Sequence, residues 1–176
     1  MNKSFLLIGI NAKYIHSNPA IRSLKAYAGT KYAPCISLAE YTINNRREEI
    51  LADIYKRNPD VIGFSVYIWN VTMVKELLPE LAKLLPNTEI YLGGPEVSYE
   101  AGHYLKQYSN IRGIMQGEGE HTFKMLLDAY DASGFEAADL SDIPGLLLRT
   151  GQALPAISVP MDSLPFLYQS DKNQNE

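Results

Sequence analysis

One cysteine, Cys35, is all that the 176 residues contain. An intramolecular disulfide is excluded, and so is any site built from several thiolates. Cys35 stands in an apolar run, Ala33 to Ala39, where a small buried hydrophobe is expected rather than a reactive thiol. Histidine numbers only three, and no Cys/His spacing suits a metal. There is no stripe of lysine and arginine and the net charge is −4, so a nucleic-acid partner is not expected. No apolar run approaches the ~20 residues that cross a bilayer. Phe5 to Ile10 is too short for a secretory signal. A cytoplasmic protein without membrane attachment is expected. Neither a G-x-S-x-G elbow nor a Ser/His/Asp set is present, which argues against a hydrolase.

What remains is ordinary globular material: 46% hydrophobic, 20% charged, with 12 tyrosines suited to a large, partly polar contact surface. Phe5-Leu6-Leu7-Ile8-Gly9-Ile10 reads as a central strand covered on both faces. Asn18 and Pro19 start a helix, with Ile21, Leu24 and Ala28 inward and Gly29 as its stop. Cys35 to Ala39 is a second strand. A helix follows an Asn45/Glu48 capping box and ends before Pro59. Val61 to Ser65 is the third strand. Asn70 caps a longer helix, with Val71, Val74, Leu78, Leu81 and Leu85 on one stripe and a kink expected at Pro79. Glu89 to Leu92 and Ile111 to Met115 are the fourth and fifth strands, separated by a helix over Tyr99 to Lys106. Phe123, Leu126, Leu127 and Tyr130 mark the last helix. Five βα alternations predict a flavodoxin-like five-stranded parallel sheet with helices on both faces. Residues 1–131 make this domain. Residues 132–168 are an acidic linker, a β-hairpin turning at Thr150-Gly151-Gln152, and the anchor Leu164 to Tyr168. Residues 169–176 are expected to fray, and the whole has the texture of a piece cut from a longer protein.

Function is expected at the carboxyl edge of the sheet, where open α/β folds bind ligands. Gly93-Gly94-Pro95-Glu96 and Gly117-Glu118-Gly119-Glu120 end successive strands, and two strand ends without side chains would form a shelf that a bulky planar ligand can approach. Glu118 and Glu120 also suit a helix N-terminus, where they disfavour a phosphate. Ser65 ends the third strand beside the crevice where strand order reverses. Asn11, Tyr14 and His16 lie in the loop after the first strand, and Tyr67 and Trp69 in the loop after the third.

These residues together resemble the cobalamin-binding domain found at the N-terminus of many radical S-adenosylmethionine enzymes. Gly63-Phe64-Ser65, Gly93-Gly94-Pro95-Glu96 and Gly117-Glu118-Gly119-Glu120 carry the resemblance. Ile143-Pro144-Gly145-Leu146 with Leu164-Pro165-Phe166 resembles the family's lead-in to its catalytic barrel. Within the family the chain is most similar to the anaerobic magnesium-protoporphyrin monomethyl ester cyclase group. The resemblance implies cobalamin as cofactor and a radical S-adenosylmethionine domain in cis as partner. It further implies a parent enzyme that carries S-adenosylmethionine and a four-iron four-sulfur cluster for methyl transfer or cyclisation.

The family's catalytic half holds its cluster with C-x-x-x-C-x-x-C. With one cysteine this chain cannot, and alone it is expected to be inactive. The D-x-H-x-x-G loop of methionine-synthase-type domains is missing too: Asn11 to Asn18 reads N-A-K-Y-I-H-S-N. His16 is the candidate lower ligand to cobalt and Tyr14 the alternative cover for that face. The resemblance gives the nucleotide tail to Ser65, the corrin to Gly93, Gly94 and Pro95, and the corrin amides to Glu118 and Glu120. Gly117, Gly119, Glu96 and Tyr67 complete the expected cofactor set, with Asn11. The alternative is a flavodoxin-like regulatory or interaction domain that takes another small ligand or a partner protein on the same edge. A flavin phosphate would want more Ser, Thr and Gly after the first strand. A phospho-receiver would want Asp where Ser65 stands.

Overall fold

Every residue of the first strand, β1 (Phe5–Asn11), is buried, which an unbroken apolar run requires. The computed structural model describes residues 3–13, 17–134 and 137–165. Around β1 lie α1 (Pro19–Ala28), β2 (Ile36–Thr42), α2 (Arg47–Arg57), β3 (Val61–Ser65), α3 (Val71–Leu84) and β4 (Glu89–Gly93). The chain continues through α4 (Pro95–Ser98), α5 (Ala101–Gln107), β5 (Ile111–Met115), α6 (Gly119–Ser133) and β6 (Leu146–Leu148). The sheet order is β2-β1-β3-β4-β5-β6. The first five strands are parallel, and β6 runs antiparallel to β5.

Strand alternation divides the core in two. Leu6, Ile8 and Ile10 pack with Ile50, Ile54, Leu77, Leu81 and Leu105 under α2, α3 and α5. Phe5 and Leu7 pack with Ile21, Tyr91, Phe123 and Leu126 under α1 and α6. On this second face the strands also carry small residues, Gly9, Gly63, Ser65 and Gly93, towards their carboxyl ends.

The start of α1 is as expected: Asn18 Oδ1 accepts from the Ile21 N–H at 3.3 Å. A Cβ at Gly9 would lie 2.6 Å from Asn18 Cβ, so glycine lets the helix start against β1. Other expectations are corrected. Asn45 does not cap α2; its Oδ1 accepts from the Thr42 N–H and hydroxyl, and the Glu49 carboxylate returns to the Arg46 N–H. Cys35 ends a 3-10 turn before β2, half-buried, with Sγ on the Tyr32 carbonyl at 3.0 Å. Burial pushes that thiol up, away from reactivity. Pro79 lies inside α3, as expected, and the helix continues past it to Leu84. The helix expected over Tyr99 to Lys106 is α5, and a further turn, α4, precedes it because Pro95 starts a helix at once after β4.

The expected hairpin does not form. Residues 153–159 contain no strand, and Pro155 lacks the N–H a ladder needs. Leu146–Leu148 instead covers the open edge of β5. The Arg149 guanidinium, next in sequence, donates to the carbonyls of Leu105, Tyr108 and Ile111. Leu140, expected in the acidic linker, and Ile143 of the expected lead-in are buried under α6 with Leu146. Of the anchor, Phe166 to Tyr168 lie outside the described residues.

Asp60 clamps the amino edge of the sheet. Its carboxylate accepts from the Lys3 ammonium at 3.0 Å, the Ser4 N–H at 2.8 Å and the Ser4 hydroxyl at 2.9 Å. Burial alone would raise its pKa, but those donors outweigh burial and hold it below the usual carboxylate range. The folded pKa is thus below the unfolded value of about 3.9. The clamp's stabilisation is complete above that pH and vanishes as pH falls through the folded value. Asp60→Asn is expected to lose about 1 kcal/mol at neutral pH. The deficit should shrink in acid, as urea unfolding at several pH values will read.

Candidate functional site

A cavity of about 590 Å³ opens at the carboxyl ends of β3, β4 and β5 and reaches down between the sheet and the pair α1 and α6. Val61, Gly63 and Ser65 all line it, so it follows β3 for its full length, roughly 13 Å at ~3.3 Å per residue. Leu7 and Tyr91 line it from the neighbouring strands, Ile21 and Leu24 from α1, and Phe123 and Leu126 from α6. Gly63 makes the room: a Cβ there would stand 2.8 Å from Leu7 Cδ2. A lone glycine in an apolar strand is the sequence signal for such a close approach.

Two hydroxyls in this slot differ in state. Tyr91 donates to Glu89 Oε2 at 3.0 Å, and Tyr130 meets both, 2.5 Å from the Tyr91 oxygen and 2.5 Å from Glu89 Oε2. Burial, with Tyr130 and Glu89 beside it, pushes the Tyr91 phenol far above its ordinary pKa. That hydroxyl is neutral and already bonded. Ser65 is 7% exposed, and its Oγ is the one buried side-chain N or O atom among the described residues without a hydrogen-bond partner. An unsatisfied buried hydroxyl costs about 1–3 kcal/mol. Ser65 is also one of the residues that line the cavity.

The mouth is built by three turns. After β3, Asn70 is fully buried; its Oδ1 accepts from the Tyr67 N–H, and its Nδ2 donates to the carbonyls of Ile10 and Ser65. The expected cap is therefore a brace between turns. Tyr67 and Trp69 stack at 4.5 Å with their planes 4° apart, and Trp69 Nε1 donates to the Ile10 carbonyl. Ile68 beside them is 76% exposed and Tyr99 opposite is 93% exposed. After β4, Gly94 adopts φ +111°, and a Cβ there would overlap the Val66 carbonyl oxygen. After β5, the Glu120 carboxylate accepts from Ser23 Oγ at 2.7 Å, tying α6 to α1. Glu118 accepts from the Val159 N–H at 2.9 Å.

Of the expected site residues, Ser65, Tyr67, Gly93, Gly94, Pro95, Gly117, Glu118, Gly119 and Glu120 all line this cavity. Asn11 and Glu96 do not. Asn11 is 6% exposed and holds the ends of its loop: its Nδ2 donates to Glu40 and its Oδ1 accepts from Asn18, whose N–H also reaches Glu40. Glu96 is half-buried in the first turn of α4. Tyr14 and His16 lie outside the described residues. The expected bare shelf is partly occupied by the protein. Gly94 faces Val66, and Ala156 comes within 3.1 Å of a Cβ at Gly117. The open space lies beneath the mouth, lined by Leu7, Ile21, Leu24, Tyr91, Phe123 and Leu126, which the sequence pattern marks only as core or covering residues. Among the described residues no three of His, Cys, Asp and Glu are grouped to hold a metal. No helix there is long and apolar enough to cross a membrane.

A doubly wound sheet with an apolar slot beneath its carboxyl edge defines a ligand-binding α/β domain. The model of the B12 binding domain matches residues 6–127, and the chain belongs to that family. It is 28% identical over 93 residues to the cobalamin-dependent radical SAM methyltransferase TokK of Streptomyces tokunonensis, covering 53% of this chain and 13% of that protein. It is 24% identical over 132 residues to the anaerobic magnesium-protoporphyrin IX monomethyl ester cyclase of Cereibacter sphaeroides, covering 75% of this chain and 21% of the cyclase. The fold matches that of the cobalamin-dependent S-adenosylmethionine radical enzyme OxsB, solved with aqua-cobalamin and S-adenosylmethionine. There the TM-score is 0.70 and the identity 17%, over 89% of this chain and 22% of that one. The chain thus spans about an eighth to a fifth of the two curated relatives.

Proposed function

We propose that this chain is the cobalamin-binding module of a cobalamin-dependent radical S-adenosylmethionine enzyme. The catalytic domain would lie in cis, the substrate would undergo methyl transfer or cyclisation, and the work would be done in the cytoplasm without a nucleic-acid or membrane partner. The observation that carries this reading is the unpartnered Ser65 hydroxyl on the wall of an apolar slot 590 Å³ in volume. The fit is specific. Cobalamin carries a flat aromatic base on a tail, and the slot offers hydrocarbon walls to such a ring and one hydroxyl to its nitrogen.

In this reading Gly63 and Gly93 leave space for the tail, and Ser65 bonds it. Gly94 and Pro95 fix the turn below the ring, with Gly117 and Gly119 on its other side. Glu118 and Glu120 accept from side-chain amides at the rim. The stacked Tyr67 and Trp69 give the ring an apolar edge. Tyr14 and His16 are the two side chains offered for the cobalt's lower face, in a loop whose ends Asn11, Glu40 and Asn18 hold. When bound, cobalamin supplies a cobalt centre able to carry and release a methyl group. The module's own task is to bind it with the base withdrawn from cobalt and to exclude water from the tail.

Equilibrium dialysis against hydroxocobalamin tests the proposal, and absence of retention at micromolar concentrations would end it. Ser65→Ala gives a sharper result. Removing an unpaired buried hydroxyl is expected to leave the apo protein as stable, or up to about 1 kcal/mol more stable, while cobalamin affinity falls about tenfold. Unchanged affinity would show that the hydroxyl touches no ligand.

A further inference from the structure

The slot is not polar below its mouth. Leu7, Ile21, Val61, Phe123 and Leu126 present hydrocarbon, and the Tyr91 hydroxyl is held by Glu89 and Tyr130. The backbone behind it is paired in the ladders that join β3 to β1 and β4. Of the polar side chains at the mouth, Glu120 bonds Ser23, Glu118 the Val159 N–H and Ser98 the Gly94 carbonyl, while Tyr67 stacks on Trp69 and Tyr99 is 93% exposed, so these lie at the rim and not in the slot below it. Below the rim, a flat ring that fills the slot meets one buried side-chain hydroxyl without a partner among the described residues, Ser65, at the neck where β3 ends.

Resting on the cobalamin reading above, we propose that this slot selects among corrinoids by their lower base, accepting a benzimidazole and rejecting a purine. A benzimidazole joined to its ribose and detached from cobalt has one ring nitrogen in need of a partner, and its remaining edge is carbon. That pattern matches one hydroxyl among hydrocarbon walls. Adenine adds further ring nitrogens and an exocyclic amine. In this slot they would be stripped of water and left unpaired. Each buried polar group without a partner lowers affinity by roughly 5- to 150-fold. Both bases are flat fused bicycles, and the selection proposed rests on their polarity.

The test is equilibrium dialysis of the full chain against three corrinoids: cobalamin, the analogue with adenine as lower base, and the tail-less corrinoid that ends before the nucleotide. Cobalamin is expected to bind at least about tenfold more tightly than the adenine analogue, and more tightly than the tail-less form. Equal affinity for cobalamin and the adenine analogue would overturn the selection while leaving the cobalamin reading intact. Equal affinity for cobalamin and the tail-less form would show that no base enters the slot, and would overturn it too. If none of the three binds, the cobalamin reading itself fails, and the selection with it.

Discussion

Replacing Gly63 by valine is expected to leave the domain folded and to weaken cobalamin binding by more than about 100-fold, the scale set by losing a few kcal/mol of buried contact. The position lies mid-strand in β3, between β1 and β4, where valine is favoured and glycine is a liability. The one atom a new Cβ meets closely is Leu7 Cδ2, the far end of a flexible side chain, at 2.8 Å. Leu7 can turn aside into the open slot, and the valine methyls fill what remains. Added volume and displaced leucine therefore both fall where the tail would lie. Circular dichroism and urea unfolding read the fold, and dialysis reads the binding. A Gly63→Val protein that binds as well as the wild type would place the ligand elsewhere.

Gly94→Ala is expected to act the other way, through stability first. At φ +111° a side chain is strained wherever it points, and here Cβ would overlap the Val66 carbonyl oxygen, a backbone atom with no rotamer to escape into. Val66 is itself tied by its N–H to the Gly93 carbonyl at 2.7 Å. The clash can be relieved only by parting the turns after β3 and β4. A loss of about 3 kcal/mol or more is expected in urea unfolding. Gly29→Ala is the comparison. It too has a positive φ, +80°, but nothing lies within 4 Å of the added Cβ, so a loss of only about 1 kcal/mol is expected. Equal losses at the two sites would mean that the packing of Gly94 on Val66 contributes nothing.

The layers of this fold are legible in the chain because each strand is an apolar run and each helix has a stripe. β1 needs partners on both sides and both faces, and Asn18 followed by Pro19 can hardly do anything but start a helix. The 2-1-3-4-5 order of the parallel strands follows from the flavodoxin-like expectation. Three features were not legible, for different reasons. The fate of Leu146 to Leu148 depended on whether β5 had an open edge, which no local pattern reports. Asn70 reads as a cap at its position, yet its amide bonds backbone carbonyls at the ends of β1 and β3 that only the tertiary fold brings together. The slot is the largest omission. Its floor depends on which face Gly63 and Ser65 share, and its walls on Leu24 and Leu126 standing apart across two helices distant in sequence. The paired glycines at the strand ends point to the edge where the cavity opens, but as a bare shelf. Gly94 and Gly117 lie so close to Val66 and Ala156 that part of their missing side-chain volume belongs to the protein.

The position of the lower base tests the whole account most directly. The chain, grown with nitrogen-15, is loaded with cobalamin of natural isotopic content, and the cobalt is reduced by one electron for electron paramagnetic resonance. A base lodged beneath α1 and α6 cannot also ligate cobalt, so the threefold nitrogen-14 splitting from benzimidazole should be absent. A twofold nitrogen-15 splitting in its place would put a protein nitrogen, for which His16 is the candidate, under the metal and agree with the slot. Persistence of the threefold pattern would show the base still on cobalt and the slot without its guest, contradicting the account at its centre.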